Sequence, residues 1–282
     1  MRGGWKALLF LVAYWIVANV LEIPVVVAGL ALKIDFRPWV QFKFGPLLGV
    51  LAGVAVTAAF LAIERKSFRT VGLNLNARWA RELALGTLGG IVIMVATALA
   101  LLSLDGFHWV RNPQGSLSGI VLGLLIFLAV ALNEEIVYRG YPFQRLVEHL
   151  GPWPTQLLLA GLFTLHHWGN PGIADATPTL KAWTTLNIAL AAVLLGLCYL
   201  KTKSLALPVG VHLGWNWAQG SLLGFHVSGT TVVQGFWTPS LHDQPAWLTG
   251  GVVGLEGSAI CSGAILIAIL GLLLWRPKKA AN

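Results

Sequence analysis

The residues able to do chemistry lie inside stretches that otherwise read as lipid-facing. Glu134 and Glu135 close a long apolar run that starts at Leu117, and Arg139 follows four residues after Glu135. On a helix, positions i and i+4 share a face, and a glutamate N-terminal to an arginine is the favourable order. Glu135 and Arg139 can therefore neutralise each other, while Glu134 lies about 100° round the helix and stays available. A carboxylate held in a low-dielectric site suits a general base. The run Gly161-Leu-Phe-Thr-Leu-His-His-Trp-Gly-Asn-Pro171 puts Phe163 and His167 on one face and turns His166 elsewhere. His166 is expected to be a packing histidine. In the run Leu207-Pro-Val-Gly-Val-His-Leu-Gly-Trp-Asn216, His212 and Asn216 are again i and i+4. They could hold a developing oxyanion or simply bond neighbouring helices. Pro208, four residues before His212, is expected to kink that helix and free a carbonyl.

Positioning these groups falls to membrane helices. The 282-residue chain is 56% hydrophobic and 11% charged, with mean hydropathy +0.75; soluble domains carry roughly 25% charged residues. The expected fold is all-α, a polytopic transmembrane helical bundle of about eight spans. They fall near 7–32, 44–63, 83–104, 117–138, 153–168, 183–200, 204–226 and 252–275. Membrane β-barrel alternation is absent. The first apolar run is too long for a signal-peptide core and reads as a retained helix. With the N-terminus inside, fourteen of the Lys and Arg residues fall on cytoplasmic segments and five on outer loops. That places both termini in the cytoplasm. The loop 64–82 is the most basic and is expected on the inner leaflet. No basic stripe interleaved with aromatics suggests nucleic acid, so the net charge of +8 is read as topology. Cys198 and Cys261 have neither disulfide nor zinc spacing and count as small apolar residues. Tryptophans near span ends form an aromatic belt. The expected organisation is 1–116, three helices; 117–226, the segment with the chemistry; and 227–282, an outer loop, a last helix and a basic tail.

Depth poses the difficulty. Glu134 lies about 26 Å along its helix from Leu117, near the inner face. A helix continuing to His149, where Gly151-Pro152 stops it, would outrun the hydrocarbon core and could tilt Glu134 inward. Two further acids, Glu22 before Ile23-Pro24 and Glu256, have no assigned role.

Glu-Glu-x-x-x-Arg at 134–139, Phe-x-x-x-His at 163–167 and His-x-x-x-Asn at 212–216 occur in order on successive helices. Together they resemble the signatures of the CPBP intramembrane proteases, which include the CAAX prenyl endopeptidases and the bacteriocin-processing Abi proteins. The resemblance covers about 117–226. It implies that Glu134 activates water with help from His167, and that His212 and Asn216 stabilise the oxyanion. Glu135, Arg139 and Phe163 would support the site. The family is described as metallo-dependent. Glu134, His167 and His212 could serve as three ligands of a zinc ion, and a metal-free glutamate mechanism is equally open. The implied activity is hydrolysis of a peptide bond in a membrane-associated or lipidated protein or peptide. The implied location is the bacterial cytoplasmic membrane. Two other functions share these residues: a non-proteolytic scaffold or bacteriocin-immunity protein, and a proton-coupled transporter. No inverted repeat supports the last. Substrate identity and oligomeric state lie beyond the sequence.

Overall fold

The computed structural model describes residues 3–33, 44–231 and 235–275. The expected basic tail after 275 and the loop arginine and lysine at 37 and 43 lie outside the described residues. A helical bundle results, as composition requires. Its helices of ten residues or more among the described residues are α1 (Gly3–Leu32), α2 (Gly45–Ile63), α3 (Ala77–Ser103), α4 (Leu117–Arg139), α5 (Tyr141–Leu150), α6 (Pro152–His167), α7 (Pro178–Thr202), α8 (Ala206–Trp217) and α9 (Ala259–Leu274). Local sequence starts several of them. The side chains of Asn76, Ser116, Thr177 and Ser258 each accept a hydrogen bond from a backbone N–H two or three residues into the helix that follows. Each thereby satisfies one of the donors that a helix start leaves open.

Among the described residues, five segments are long and apolar enough to cross a membrane: α1, α2, α3, the stretch Leu117–Leu150 and α7. Their outer faces carry bare leucine, valine and isoleucine, such as Leu30 and Ile63. Expected spans five, seven and eight are shorter helices. The 12 residues of α8 and the π turn Ala218–Leu222 that continues it together stay below the ~20 needed to cross hydrocarbon, and Ala206 and every residue from Pro208 to Asn216 is buried. It is an inner helix of the bundle.

Three local expectations change. The fourth helix does not continue to His149. It stops at Arg139, the chain turns at Gly140, and α5 starts at Tyr141 with Pro142 in its first turn. Any Cβ at Gly140 would strike the Ile136 carbonyl, and proline cannot extend a helix through its missing N–H. Pro208 does not kink α8 but occupies its first turn, where no helical donor is lost. Finally, Phe107–Arg111 (β1) and Trp237–Leu241 (β2) pair antiparallel, Phe107 opposite Leu241 and Arg111 opposite Trp237. This two-stranded sheet joins the connections before α4 and before α9 and is a small addition to the helical bundle.

The packing that matters most for the site is α3 against α8. Gly86 and Gly90 on α3 face Gly210 and Gly214 on α8. A Cβ on Gly86 would lie 2.9 Å from Val211 N and 3.0 Å from Gly210 Cα, and one on Gly210 would lie 3.0 Å from Gly86 Cα. Paired Gly-x-x-x-Gly stripes let two backbones touch, which is how helices associate without a hydrophobic drive. His212 sits between the two α8 glycines, so this contact fixes its height. Cys198 and Cys261 are free and buried among apolar side chains. On the other side of the bundle, Glu64 at the end of α2 collects Lys6 Nζ at 2.6 Å, Tyr141 Oη at 2.8 Å and Arg145 at 3.6 Å, tying α1, α2 and α5 together.

Candidate active site

Glu135 and Arg139 form the expected pair. The Glu135 side chain is fully buried, and its Oε1 accepts from Arg139 Nη1 at 3.0 Å. Arg139 also donates Nη2–H to the Ala192 carbonyl at 3.1 Å and lies over the Phe163 ring, 4.7 Å from its centre. The same Glu135 Oε1 accepts from His212 Nδ1 at 2.9 Å, a link that helical spacing alone does not show. The pair on α4 therefore also fixes the imidazole on α8.

His167, the last residue of α6, donates Nδ1–H to the Phe163 carbonyl at 2.8 Å. The Phe163 and His167 rings are 4.5 Å apart. Both histidines thus have Nδ1 engaged by an acceptor, so their Nε2 atoms are left to face the same carboxylate. Glu134 Oε2 lies 3.7 Å from His212 Nε2 and 4.0 Å from His167 Nε2. It is buried and has no hydrogen-bond partner. These gaps exceed a direct hydrogen bond and are the span of one shared oxygen atom held by both sides. Asn216, one turn beyond His212, is buried and lines the same cavity. Among the described residues nothing bonds its amide. The predicted residues therefore converge from α4, α6 and α8: the imidazoles of His167 and His212 stand level with Glu134, and the Glu135–His212 bond ties α4 to α8 at that level.

His166 is the exception. It is exposed at the cavity wall, beside Tyr138 at 6.3 Å between ring centres, and is not a packing histidine. Adjacent residues on a helix point about 100° apart, so when His167 faces inward His166 turns to the open side.

The cavity holds about 670 Å³. It runs from Glu134, His167 and His212 toward one end of the bundle, where Gly45, Asn170 and Ser228 form its wall. Segment 117–226 does not enclose it alone: Tyr14 and Glu22 on α1 and Gly49 on α2 complete the lining. Tyr14 Oη donates to Asn133 Oδ1 at 2.8 Å, beside Glu134. Gly49 admits that amide, which a Cβ would meet at 2.6 Å. Glu256, unassigned in the sequence, is a buried clamp. Its Oε1 accepts from Trp215 Nε1 at 2.7 Å and its Oε2 from Ser228 N and Oγ, both at 2.7 Å. The signals for these additions existed in the sequence as Glu22, Glu256 and the two Gly-x-x-x-Gly pairs, but nothing there said which helices would meet.

Glu134, His167 and His212 have the donor chemistry of a zinc site. Glu134 Oε2 lies 3.7 and 4.0 Å from the two Nε2 atoms, yet among the described residues no group of three His, Cys, Asp or Glu side chains is placed to hold a metal ion. They do not fit a metal as placed, and no step is derived through one.

Residues 115–218 match the family model described as type II CAAX prenyl endopeptidase Rce1-like. The match covers all three motifs and supports the CPBP resemblance; it suggests a CAAX-type intramembrane protease. No curated protein matches the chain.

Proposed function

We propose that this integral membrane protein, set in a bacterial cytoplasmic membrane, is an endopeptidase that cuts a peptide bond of a membrane-associated or lipidated substrate. The observation that carries the reading is the buried, unpartnered Glu134 Oε2 facing two imidazole Nε2 atoms at 3.7 and 4.0 Å. A water oxygen within about 2.8 Å of the carboxylate and of either nitrogen closes a triangle with sides of that length.

Glu134 takes a proton from this water as its oxygen attacks the scissile carbonyl, with His167 Nε2 orienting the nucleophile. The carbonyl oxygen gathers charge as the tetrahedral intermediate forms. The Asn216 amide donates to it, and His212 adds a second donor from Nε2 in its imidazolium form, in which Nδ1–H stays on Glu135. Donors fixed before the reaction stabilise that charge without reorganising. Glu134 then delivers the proton to the departing amine, so water is consumed and two termini are released. The buried Arg139 holds the Glu135 carboxylate in place. The zinc alternative is set aside because the same residues supply base and oxyanion donors unaided.

Glu134→Gln keeps the shape and removes the base. Cleavage of lipidated and unmodified reporter peptides in detergent is expected to fall about 10²–10⁴-fold, the usual worth of a general base. Wild-type rates in Glu134→Gln would defeat the proposal and favour a scaffold that only binds. Exhaustive dialysis against a chelator, with metal content measured by mass spectrometry, is expected to leave kcat unchanged; loss of activity restored by zinc would transfer the water-activating role to a metal.

A further inference from the structure

The wall that α1 contributes carries one carboxylate the proposed reaction does not use. Three acids line the cavity, Glu22, Glu134 and Glu256, and no lysine or arginine does among the described residues. Glu256 has both oxygens occupied by Trp215 and Ser228. Glu134 is the proposed base. Glu22 is half-buried and has no ion pair or hydrogen bond among the described residues. An acid inside a membrane-crossing helix is costly to keep there and calls for a partner. Pro24, two residues on, has no N–H, so the Val20 carbonyl lacks its helical donor and adds an acceptor in the same turn.

Tyr14, Ala18, Glu22 and Val26, spaced by four residues, all line the cavity. They form a track along α1 that ends at Tyr14, whose hydroxyl bonds Asn133 beside Glu134. Glu22 stands eight residues from Tyr14, about 12 Å along the helix. An extended peptide covers about 3.3–3.6 Å per residue, so that distance is three to four residues of substrate.

We propose that Glu22 is a specificity subsite that accepts a basic side chain, lysine or arginine, three to four residues from the scissile bond. This rests on the endopeptidase reading above, and it adds the substrate class: peptides with a cation at that distance. The ammonium of substrate would supply the partner that α1 lacks and would align the chain along the track.

The test uses the full-length protein in detergent and a set of otherwise neutral reporter peptides with one lysine scanned through six positions on each side of the cut bond. The expected result is an optimum at three to four residues on one side, with kcat/KM about 10-fold above the glutamine-containing peptide, one charge pair's worth. In Glu22→Gln that ratio should fall to about one, and in Glu22→Lys it should invert in favour of a glutamate-containing peptide. A flat scan, or an unchanged ratio in Glu22→Gln, overturns the assignment. Peptide affinity measured on Glu134→Gln protein keeps this separate from the hydrolase reading. There the lysine peptide should bind about 10-fold more tightly than the glutamine peptide, and Glu22→Gln in the same background should erase the difference whether or not the wild type cleaves. Micelles with and without phosphatidylethanolamine separate the other source of an ammonium group. A lysine preference lost when that lipid is added, or a rate that follows the lipid and ignores the lysine, would assign Glu22 to a headgroup and overturn the peptide subsite.

Discussion

Removing Glu135 should separate its two roles. In Glu135→Leu the guanidinium of Arg139, whose side chain is 3% exposed, loses its counter-charge and keeps the Ala192 carbonyl and the Phe163 ring. Breaking a buried pair from one side costs about 3–5 kcal/mol, because a desolvated charge is left behind. That is a large share of a total stability of about 5–15 kcal/mol, so thermal unfolding in detergent should shift down clearly. Glu135→Leu/Arg139→Met removes both charges at similar volume. Apolar replacement of a whole buried pair is often neutral, so most of the lost stability should return, less about 1 kcal/mol for the bond to Ala192. Activity should not return with it. His212 Nδ1 has lost the acceptor 2.9 Å away, and a misplaced catalytic group costs about 100-fold. Two readouts, unfolding temperature and kcat on one peptide, test this. If the double variant is as unstable as the single, the ion pair does not dominate the cost. If the double variant regains full activity, Glu135 does not position His212 and the proposed link between α4 and α8 is refuted.

Three further outcomes follow from named contacts. Asn216→Ala should lower kcat about 10²–10³-fold, the range of one lost oxyanion donor, with little change in KM; a change confined to KM would make Asn216 a binding residue. Gly210→Leu should drive α3 and α8 apart, because the added carbons meet the α3 backbone at Leu83 and Gly86; activity and unfolding temperature should fall together, whereas a stable, active variant would show that the close approach is dispensable. Burial pushes the Glu64 carboxyl up, but the hydrogen bonds from Lys6 and Tyr141 and the charge of Arg145 outweigh it and hold the group below its ordinary value. A depressed folded-state value means the stabilisation is complete above the ordinary carboxylate range and is lost as pH falls through the folded value. The wild type should therefore lose more unfolding temperature than Glu64→Gln between pH 7 and pH 3, and parallel losses in the two would contradict that linkage.

How much was legible depends on range. Helical periodicity is a local property, so the Glu135–Arg139 pair, the Phe163–His167 face, the His212–Asn216 face and the membrane bundle itself could be read from spacing and hydropathy. Gly140 and Pro142 also stood in plain view, and weighing them above the continuing apolar pattern would have ended α4 at Arg139. Other features were not local. That Glu135 also holds His212 follows from contacts across 77 positions. The β1–β2 pair joins two loops whose strands are five residues each, too short to announce themselves. His166 and His167 are neighbours of identical type; the Phe163 spacing singled out His167, but that His166 is exposed at the cavity wall follows only from the packing of α6.

Sequence by itself determined the residue types, their helical faces and the need for lipid around them, because side-chain chemistry and the 3.6-residue repeat require no partner element. Tertiary structure alone decided depth and company. The close contact of Gly86 and Gly90 with Gly210 and Gly214 sets the height of His212 against α3, and its bond to Glu135 holds α4 level with it. The placement of α1 brings Glu22 to the same cavity. In a membrane every helix is apolar on its outside, so hydropathy cannot say which helices touch; backbone approach and buried polar pairing decide it.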